Sequence, residues 1–239
     1  RKHRKTNQMN NRIPHNPDFT RLFILRHAQT ALNAAGKMQG FTDAPLDHTG
    51  REQAKNLADT LYPLYAIDHI YTSPYPRAQE TAQYVGRKYG LEVEPNDDLR
   101  ELGFGEIDNE RFEDLKTLAP DFYHQTNFLY AAESIEGMGK PPYPGGESIA
   151  QIRARVAHFT GQLLEKHKGK CVAAVSHGGF IKYLFAYYLG FPLEQPIFIS
   201  IENTSISIVD FVESRAIVRC FNETGHLHSP IRYSRPAVV

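Results

Sequence analysis

Residues 21–33 read RLFILRHAQTALN, an apolar run that ends directly in an arginine and a histidine. The run at 21–25 is short and strongly apolar, which is typical of a buried β-strand. Arg26 and His27 either end this strand in solvent or are carried by it to a functional site. The residues that follow the other predicted strands decide between these two possibilities.

Strands and helices alternate along the rest of the chain, as judged from the spacing of apolar residues. The predicted strands are 21–25, 68–73, 91–95, 170–176, 205–211 and 215–221. The predicted helices are 47–65, 74–90, 146–168 and 179–190. Thr49 and Glu52 have the spacing of a capping box, so they are expected to start the first of these helices. Gly90 is expected to end the second one.

This alternation predicts an α/β fold, a three-layer sandwich whose mostly parallel sheet has helices on both faces. Residues from about 106 to 145 break the rhythm and are predicted to form a lid insertion. The expected organisation is a disordered basic arm at 1–20, a single domain at 21–225 and a C-terminal tail at 226–239.

The composition excludes several classes of protein. Lysine plus arginine and aspartate plus glutamate both number 27, so no charge excess suggests binding to nucleic acid or to a membrane surface. No apolar run approaches the roughly 20 residues of a membrane span. Cys171 and Cys220 lie in apolar runs and are expected to be buried thiols, which favours a reducing, cytoplasmic location. An RNA-binding role for the basic arm is the weaker alternative to a solvated tail.

Arginine, histidine and glutamate side chains follow four of the predicted strands. Arg26 and His27 follow the first strand, Arg77 lies just after the second, Glu101 after the third and His177 after the fourth. Open parallel sheets bind ligands in the crevice beyond the carboxyl ends of their strands. We therefore expect these five side chains to meet in one site at that edge of the sheet.

Two arginines, two histidines and a carboxylate suit chemistry on a phosphate. Arginine forks match phosphate oxygens, and helix N-termini after SPYPR and SHGG add N–H donors for an anion. A histidine in that setting can attack phosphorus, and a nearby carboxylic acid can protonate the departing oxygen. The alternative is a structural ion-pair cluster in which Glu101 neutralises Arg26 or Arg77, although such a cluster would not require two histidines.

Six ordered blocks between about residues 21 and 222 resemble the histidine phosphatase superfamily, in its phosphoglycerate-mutase-like branch. The blocks are LRHAQT with Asn33, QGFTDAPL, TSPYPRAQETA, LRELGFGE, GGES and SHGG. The resemblance implies that His27 is the phosphorylated nucleophile and Glu101 the proton donor, with no cofactor and no metal. It implies substrate-binding residues as follows: Arg26, Asn33, Gln39, Gly40, Arg77, Glu101, His177 and Gly178.

The sequence departs from the family pattern in two places. Ala28 stands where the family usually has glycine, so the turn after the strand must form without the freedom of that residue. Many relatives read GEWEG where this chain reads GEIDN at 105–109. In the GGES block, Ser148 and Glu147 are expected to start a helix, and catalysis by Glu147 is the weaker interpretation.

Other functions fit the sequence less well than chemistry on a phosphate. HExxH metal-hydrolase and GxxxxGK[ST] nucleotide-binding motifs are absent from the sequence, and His226 and His228 are expected at the surface. A catalytically silent binding protein on the same fold would lack one of the site residues, yet all are present. Within the family, a phosphoglycerate mutase or a sugar bisphosphatase needs additional cations for a second anionic group.

The predicted lid points toward hydrolysis rather than phosphoryl transfer to a second substrate. The lid is rich in Phe and Tyr, including Phe122, Phe128 and Tyr130, and its bases are few: Arg111, Lys116 and Lys140. Such a lid favours an apolar leaving group, unless its aromatic residues only form its own core. The sequence thus predicts a metal-independent phosphomonoesterase of broad specificity that acts on small phosphorylated substrates. It leaves the physiological substrate and the oligomeric state open.

Overall fold

One six-stranded sheet organises the protein in the computed structural model, which describes residues 16–118, 120, 145–192 and 199–227. The strands are β1 (Thr20–Arg26), β2 (His69–Thr72), β3 (Val93–Pro95), β4 (Cys171–Ser176), β5 (Ile206–Val212) and β6 (Arg215–Glu223). Their order across the sheet is β3-β2-β4-β1-β5-β6. The first four strands in that order are parallel, whereas β5 is antiparallel to both β1 and β6. The prediction of a mostly parallel sheet is confirmed.

Helices cover both faces of this sheet. The α-helices are α1 (Ala31–Ala34), α2 (His48–Leu64), α3 (Pro76–Tyr89), α4 (Leu115–Leu118), α5 (Ile149–Lys166) and α6 (Gly178–Leu189). Short 3₁₀ helices lie at Asp97–Leu99, Gly105–Ile107, Phe112–Asp114 and Gly225–Leu227. Helices α5 and α6 share one apolar core with the sheet, and α2 and α3 share another on the opposite face. This arrangement is the predicted three-layer α/β sandwich.

Strand β1 lies in the middle of the sheet because it is apolar on both of its faces. Leu22 and Ile24 pack in the core under α5 and α6, whereas Phe23 and Leu25 pack under α2 and α3. A strand with apolar residues on both faces is stable only where helices cover both faces of the sheet. The apolar run in the opening sequence therefore fixes β1 in the interior, with its polar end at the sheet edge.

The helix boundaries confirm part of the predicted capping. Gly90 ends α3 in the left-handed conformation, with φ of 68°, and Ser148 starts α5 through a capping box with Gln151. The predicted capping box of Thr49 and Glu52 is wrong. Asp47 caps α2 instead, because its carboxylate accepts a 2.7 Å hydrogen bond from the Gly50 N–H.

The ends and the insertion of the domain are described only in part. Residues 1–15 of the predicted arm, and the part of the predicted lid that contains Phe122, Phe128, Tyr130 and Lys140, lie outside the described residues. Strand β1 begins at Thr20, inside the segment predicted as an arm. In the described residues, no helix is long and apolar enough to cross a membrane.

The C-terminal region corrects one prediction. His226 was expected at the surface, but it is buried in the last 3₁₀ helix, with its Nε2 3.2 Å from the Thr204 hydroxyl. The polar sequence around His226 does not predict this contact, because the loop that buries it, near Thr204, is distant in sequence. His228 lies outside the described residues. Cys171 is buried and Cys220 half-buried, and neither of these two described cysteines is in a disulfide.

Candidate active site

Strands β1 and β4 end side by side and bring two histidines together. Arg26 pairs with Ser176 in the parallel register, and the His27 N–H donates a 2.9 Å hydrogen bond to the Ser176 carbonyl. The ring centroids of His27 and His177 consequently lie 5.0 Å apart. Arg77 and Glu101 contact the same region through the bonds described below. The predicted convergence of five side chains at the carboxyl edge of the sheet is present in the structure.

A hydrogen bond to the backbone fixes the tautomer of the His27 ring. Its Nδ1 lies 2.8 Å from the carbonyl oxygen of Ala28, so Nδ1 carries the proton and donates it in this hydrogen bond. The lone pair is then on Nε2, which has no hydrogen bond within the described residues. Burial lowers the pKa of His27 well below the usual range of imidazole, and the charges of Arg26 and Arg77 lower it further. His27 is therefore neutral, as attack on phosphorus requires.

The turn after His27 forms without glycine. Ala28 is fully buried and is not among the described residues with positive φ. Its N–H donates a 3.0 Å hydrogen bond to the Thr81 hydroxyl, which in turn donates to the Arg77 carbonyl at 2.7 Å. The departure from the family's glycine at this position needs no special backbone conformation.

Arg77 is fully buried at the start of α3 and is held in place by four hydrogen bonds. Its Nε donates to His177 Nδ1 at 3.2 Å and its Nη1 to the Thr42 carbonyl at 2.9 Å. Its Nη2 donates to the carbonyls of Gln39 and Gly40 at 3.2 and 2.8 Å. A guanidinium has five N–H donors, so within the described residues one of them is left for a ligand.

Arg26 is the more open of the two arginines. Its Nη1 donates to the Ile201 carbonyl, whereas its buried Nε has no hydrogen-bond partner in the described part of the chain. A buried N–H without an acceptor is costly, and an anion in the site would supply one. Gly178 lies directly beside it, because a Cβ built on this glycine would be 3.4 Å from Arg26 Nε.

Glu101 is bound to the N-terminus of α6. Its Oε1 accepts hydrogen bonds from the N–H groups of Leu102 and Phe180, both at 2.9 Å, and its Oε2 accepts one from Gly179 at 3.0 Å. A side chain at 179 would displace the Glu101 carboxylate, because a Cβ there would lie 2.5 Å from Oε1. One lone pair of Oε2 has no partner within the described residues, which makes Oε2 the oxygen that can carry a transferable proton.

Both ring nitrogens of His177 have partners. Nδ1 accepts from Arg77, so Nε2 carries the proton and lies 2.7 Å from the Ser73 hydroxyl. Burial lowers the pKa of His177 well below its ordinary value, and the charges of Arg77 and Arg26 act in the same direction. In this arrangement His177 fixes Arg77 and offers a phosphate no N–H of its own.

The other predicted lining residues lie on the loop between β1 and α2. The Asn33 side chain accepts a 3.2 Å hydrogen bond from the Thr30 N–H at the start of α1. The Gln39 amide donates to the Thr30 hydroxyl at 2.6 Å, and its buried oxygen has no partner among the described residues. Gly40 contributes its carbonyl to Arg77. Gln39 and Gly40 thus contact Arg77 through their carbonyls, whereas the Asn33 side chain contacts Thr30 and Asn203.

A loop at 201–205 contacts His27 and was missed by the sequence analysis. The Asn203 side-chain amide donates to the His27 carbonyl at 2.9 Å, and the Thr204 N–H donates to the Arg26 carbonyl at 3.1 Å. Thr204 has a φ of 55°, an uncommon conformation for a β-branched residue. The sequence NTS at 203–205 is compatible with a turn, but nothing in it indicates contact with residues so distant in the chain.

Two further charged residues complete the surroundings. Glu147 forms two 2.6 Å hydrogen bonds with the Arg155 guanidinium, which agrees with the predicted structural role at the start of α5. Lys182 was missed by the sequence analysis. It is half-buried one helical turn after Gly178, on the same side of α6. Burial lowers the pKa of Lys182, and the charge of Arg26 lowers it further.

The two buried histidines predict acid sensitivity. Their pKa values in the folded protein lie below the ordinary histidine value of about 6.5, so the unfolded chain binds more protons in the interval between the two values. Stability is therefore retained above pH 6.5 and lost as pH falls from there, by about 1.4 kcal/mol per unit of pKa difference. Thermal unfolding between pH 7.5 and 5.5 should show a falling Tm. His177→Gln should flatten this slope, whereas replacing the exposed His48 should not; equal slopes in all three proteins would contradict the assignment.

Within the described residues, no group of three or more histidine, cysteine, aspartate or glutamate side chains is arranged to hold a metal ion. The polar atoms at the centre of the site are mostly N–H donors, which suit an anion.

Comparison with known proteins agrees with this geometry. The sequence model of the histidine phosphatase superfamily (branch 1) matches residues 22–224. Phosphoglycerate mutase-like protein 4 of Arabidopsis thaliana is 30% identical over 212 residues, which cover 88% of each chain. Phosphoserine phosphatase 1 of Hydrogenobacter thermophilus is 29% identical over 209 residues, or 87% of this chain and 95% of the relative.

Solved structures show the same fold. Bacillus stearothermophilus YhfR has a TM-score of 0.75 at 26% identity, covering 87% of this chain and 99% of its own. A mycobacterial glucosyl-3-phosphoglycerate phosphatase, solved with VO3, has a TM-score of 0.73 at 27% identity, covering 85% of this chain and 99% of its own. Because the family model spans nearly all of the residues that form the sheet and the site, the chain belongs to branch 1 of the histidine phosphatase superfamily.

Proposed function

We propose that this protein is a phosphatase that hydrolyses phosphomonoesters through a phosphohistidine intermediate on His27. The observation that carries the proposal is the state of the His27 ring: Nδ1 donates to the Ala28 carbonyl, so the lone pair is on Nε2, and the ring is close enough to Arg26 and Arg77 for both charges to lower its pKa. A neutral imidazole beside two fixed cations combines a nucleophile with a binding site for the phosphoryl dianion.

In the first step, the Nε2 lone pair of His27 attacks phosphorus and the bond from phosphorus to the ester oxygen breaks. The free N–H donors of Arg26 and Arg77 stabilise the charge on the phosphoryl oxygens. Glu101, protonated on Oε2, gives its proton to the departing oxygen, so that an alcohol leaves. In the second step, water attacks the phosphohistidine and returns a proton to Glu101, which releases phosphate and restores His27.

His177 supports this reaction in two ways. In the empty site its Nδ1 fixes the Arg77 guanidinium, and its proton is on Nε2 beside Ser73. A bound phosphoryl dianion adds negative charge beside the ring and favours the protonated imidazolium. Protonation converts Nδ1 from an acceptor of the Arg77 N–H into a donor, so the bond to Arg77 is broken and the new N–H binds a phosphoryl oxygen, which is the role that the family resemblance implies.

The described wall of the site favours an apolar leaving group. Phe41 is 54% exposed, and its ring centroid lies 5.9 Å from that of Tyr75. The Tyr75 ring in turn lies 5.5 Å from the His177 ring. An aromatic leaving group that covers Phe41 would gain roughly 25 cal/mol per Å² of apolar area removed from water.

A mutase or a bisphosphatase is the second candidate, and Lys182 is the observation that favours it. This lysine is close enough to Arg26 and Glu101 for their charges to affect its pKa, and it could compensate a second anionic group. One of the relatives is named as mutase-like and another as a phosphoserine phosphatase, so similarity alone does not choose between the two reactions.

A substrate screen with two product assays tests the proposal. We expect phosphate release from 4-nitrophenyl phosphate, phosphoserine and 3-phosphoglycerate, with no 2-phosphoglycerate formed and no loss of activity in EDTA. We expect kcat/KM to be several-fold higher for the aryl ester than for fructose 2,6-bisphosphate, because burying a second phosphate with little charge compensation is costly.

Lys182→Ala separates the two candidates further. A phosphatase for apolar esters should retain its rate on 4-nitrophenyl phosphate in this variant. Formation of 2-phosphoglycerate by the parent, abolished by Lys182→Ala, would establish the mutase instead. Phosphate binding without any turnover would indicate a catalytically silent binding protein.

A further inference from the structure

Asp108 binds the loop that contains Gly40 by four hydrogen bonds. Its carboxylate accepts from the backbone N–H groups of Gly40, Phe41 and Thr42 at 2.6, 3.0 and 3.0 Å. It also accepts from the Thr42 hydroxyl at 2.9 Å. Three successive N–H groups therefore point at one carboxylate, which fixes the conformation of the loop.

The same loop is bound on its other side by Arg77. The guanidinium donates to the carbonyl oxygens of Gln39 and Gly40 through Nη2, and to that of Thr42 through Nη1. The loop thus lies between an anion on its N–H side and a cation on its carbonyl side. These two charged side chains come from segments 31 residues apart in sequence (108 minus 77).

Two peptide groups connect the charges directly. In the peptide group 39–40 the carbonyl accepts from Arg77 and the N–H donates to Asp108, and the peptide group 40–41 is arranged in the same way. Each of these peptide dipoles is therefore aligned between the two charges. Hydrogen bonds in such a chain polarise and strengthen each other.

We propose that Asp108 is a positioning residue for Arg77, and so sets the affinity of the site for the phosphoryl group. The inference rests on the proposed function in one respect, that Arg77 binds the phosphoryl group. Asp108 aligns the carbonyls of the 39–42 loop, these carbonyls hold three N–H groups of Arg77, and the remaining Nη1 donor is thereby aimed at the ligand. The negative charge of Asp108 also stabilises the positive charge of the Arg77 guanidinium.

Loss of the Asp108 carboxylate should disorder the 39–42 loop and the Arg77 side chain that it holds. In Asp108→Asn the side chain has similar size, but its NH₂ group cannot accept the N–H groups that the second oxygen binds. The loop carbonyls then lose their alignment and Arg77 becomes mobile. Asp114 provides a matched control, because it is exposed and lies only six residues further along the chain (114 minus 108).

A double-mutant cycle with inorganic phosphate tests the proposal by calorimetry. We expect Asp108→Asn to weaken phosphate binding about 10-fold in the parent, within the range for coupled neighbours, and less than about 2-fold in an Arg77→Ala background. Asp114→Asn should leave binding unchanged. Equal losses in both backgrounds, or no loss in the parent, would overturn the proposal.

Two substitutions keep the cycle informative if a variant fails to fold. Arg77→Lys replaces Arg77→Ala, because lysine lacks the fork that binds the loop carbonyls. Asp108→Glu replaces Asp108→Asn. The loss of phosphate affinity that it causes in the parent should again be absent when Arg77 is also substituted. Phosphate binding needs no turnover, so the outcome is separate from the fate of the proposed reaction. If the Asp108 and Arg77 substitutions are coupled in phosphate binding but no phosphohistidine forms, only the proposed reaction is contradicted. If the enzyme turns over but the two substitutions are not coupled, only the role of Asp108 is contradicted.

Discussion

The His27→Ala variant should lose turnover by four orders of magnitude or more, because removal of a covalent nucleophile eliminates the pathway rather than slowing one step. Rapid quenching of the parent with labelled substrate should leave an acid-labile, base-stable phosphoryl group on the peptide that contains residues 22–30. The variant should carry no label. Thermal unfolding should show that both proteins are folded.

His48→Ala is the matched control for this substitution. His48 is exposed at the start of α2 and lies outside the site, so its replacement should leave both the label and the rate unchanged. Near-normal turnover in His27→Ala, or a label on His177 in the parent, would rule out the proposed mechanism.

The Glu101→Gln variant should reveal the proton donor through the leaving group. An alcohol such as serine leaves poorly without a proton, so kcat for phosphoserine should fall about 10²- to 10⁴-fold. Nitrophenolate needs no proton, so the rate on 4-nitrophenyl phosphate should fall less than about 10-fold. The ratio of the two losses is the measurement that identifies a general acid.

This substitution also disturbs the N-terminus of α6, because the glutamine NH₂ group cannot accept from the N–H groups that Glu101 binds. Tm should therefore be measured in parallel, with Glu106→Gln as a control at a nearby exposed position. A purely structural role would reduce both rates equally, and that result would contradict the assignment of Glu101 as the acid.

The fold and the main site residues could be predicted because both depend on local patterns. The apolar run before Arg26 identifies a buried strand, and the position of a residue just after a parallel strand places it at the ligand-binding edge. Arg77, Glu101 and His177 follow from the same rule, and the structure brings them together with His27.

What could not be predicted are contacts between distant segments. Asp108 binds a loop near residue 40, Asn203 binds the carbonyl of His27, and His226 is buried against Thr204. In each case the short-range sequence is polar and equally compatible with a solvated loop. The N-cap of α2 could not be predicted for a different reason: Asp47 and Thr49 lie close together, and aspartate and threonine are both common N-cap residues.

The central place of β1 also affects how the chain can fold. Of the six described strands β1 is synthesised first, but its neighbours β4 and β5 begin only at residues 171 and 206. Its backbone therefore has no neighbouring strand until those segments have been made, a period in which nascent chains are prone to aggregate. Long-range pairing of this kind slows folding. His27 and His177 can meet only when β1 and β4 have paired, so recovery of the proposed activity during refolding should report on the slowest long-range step rather than on early local structure.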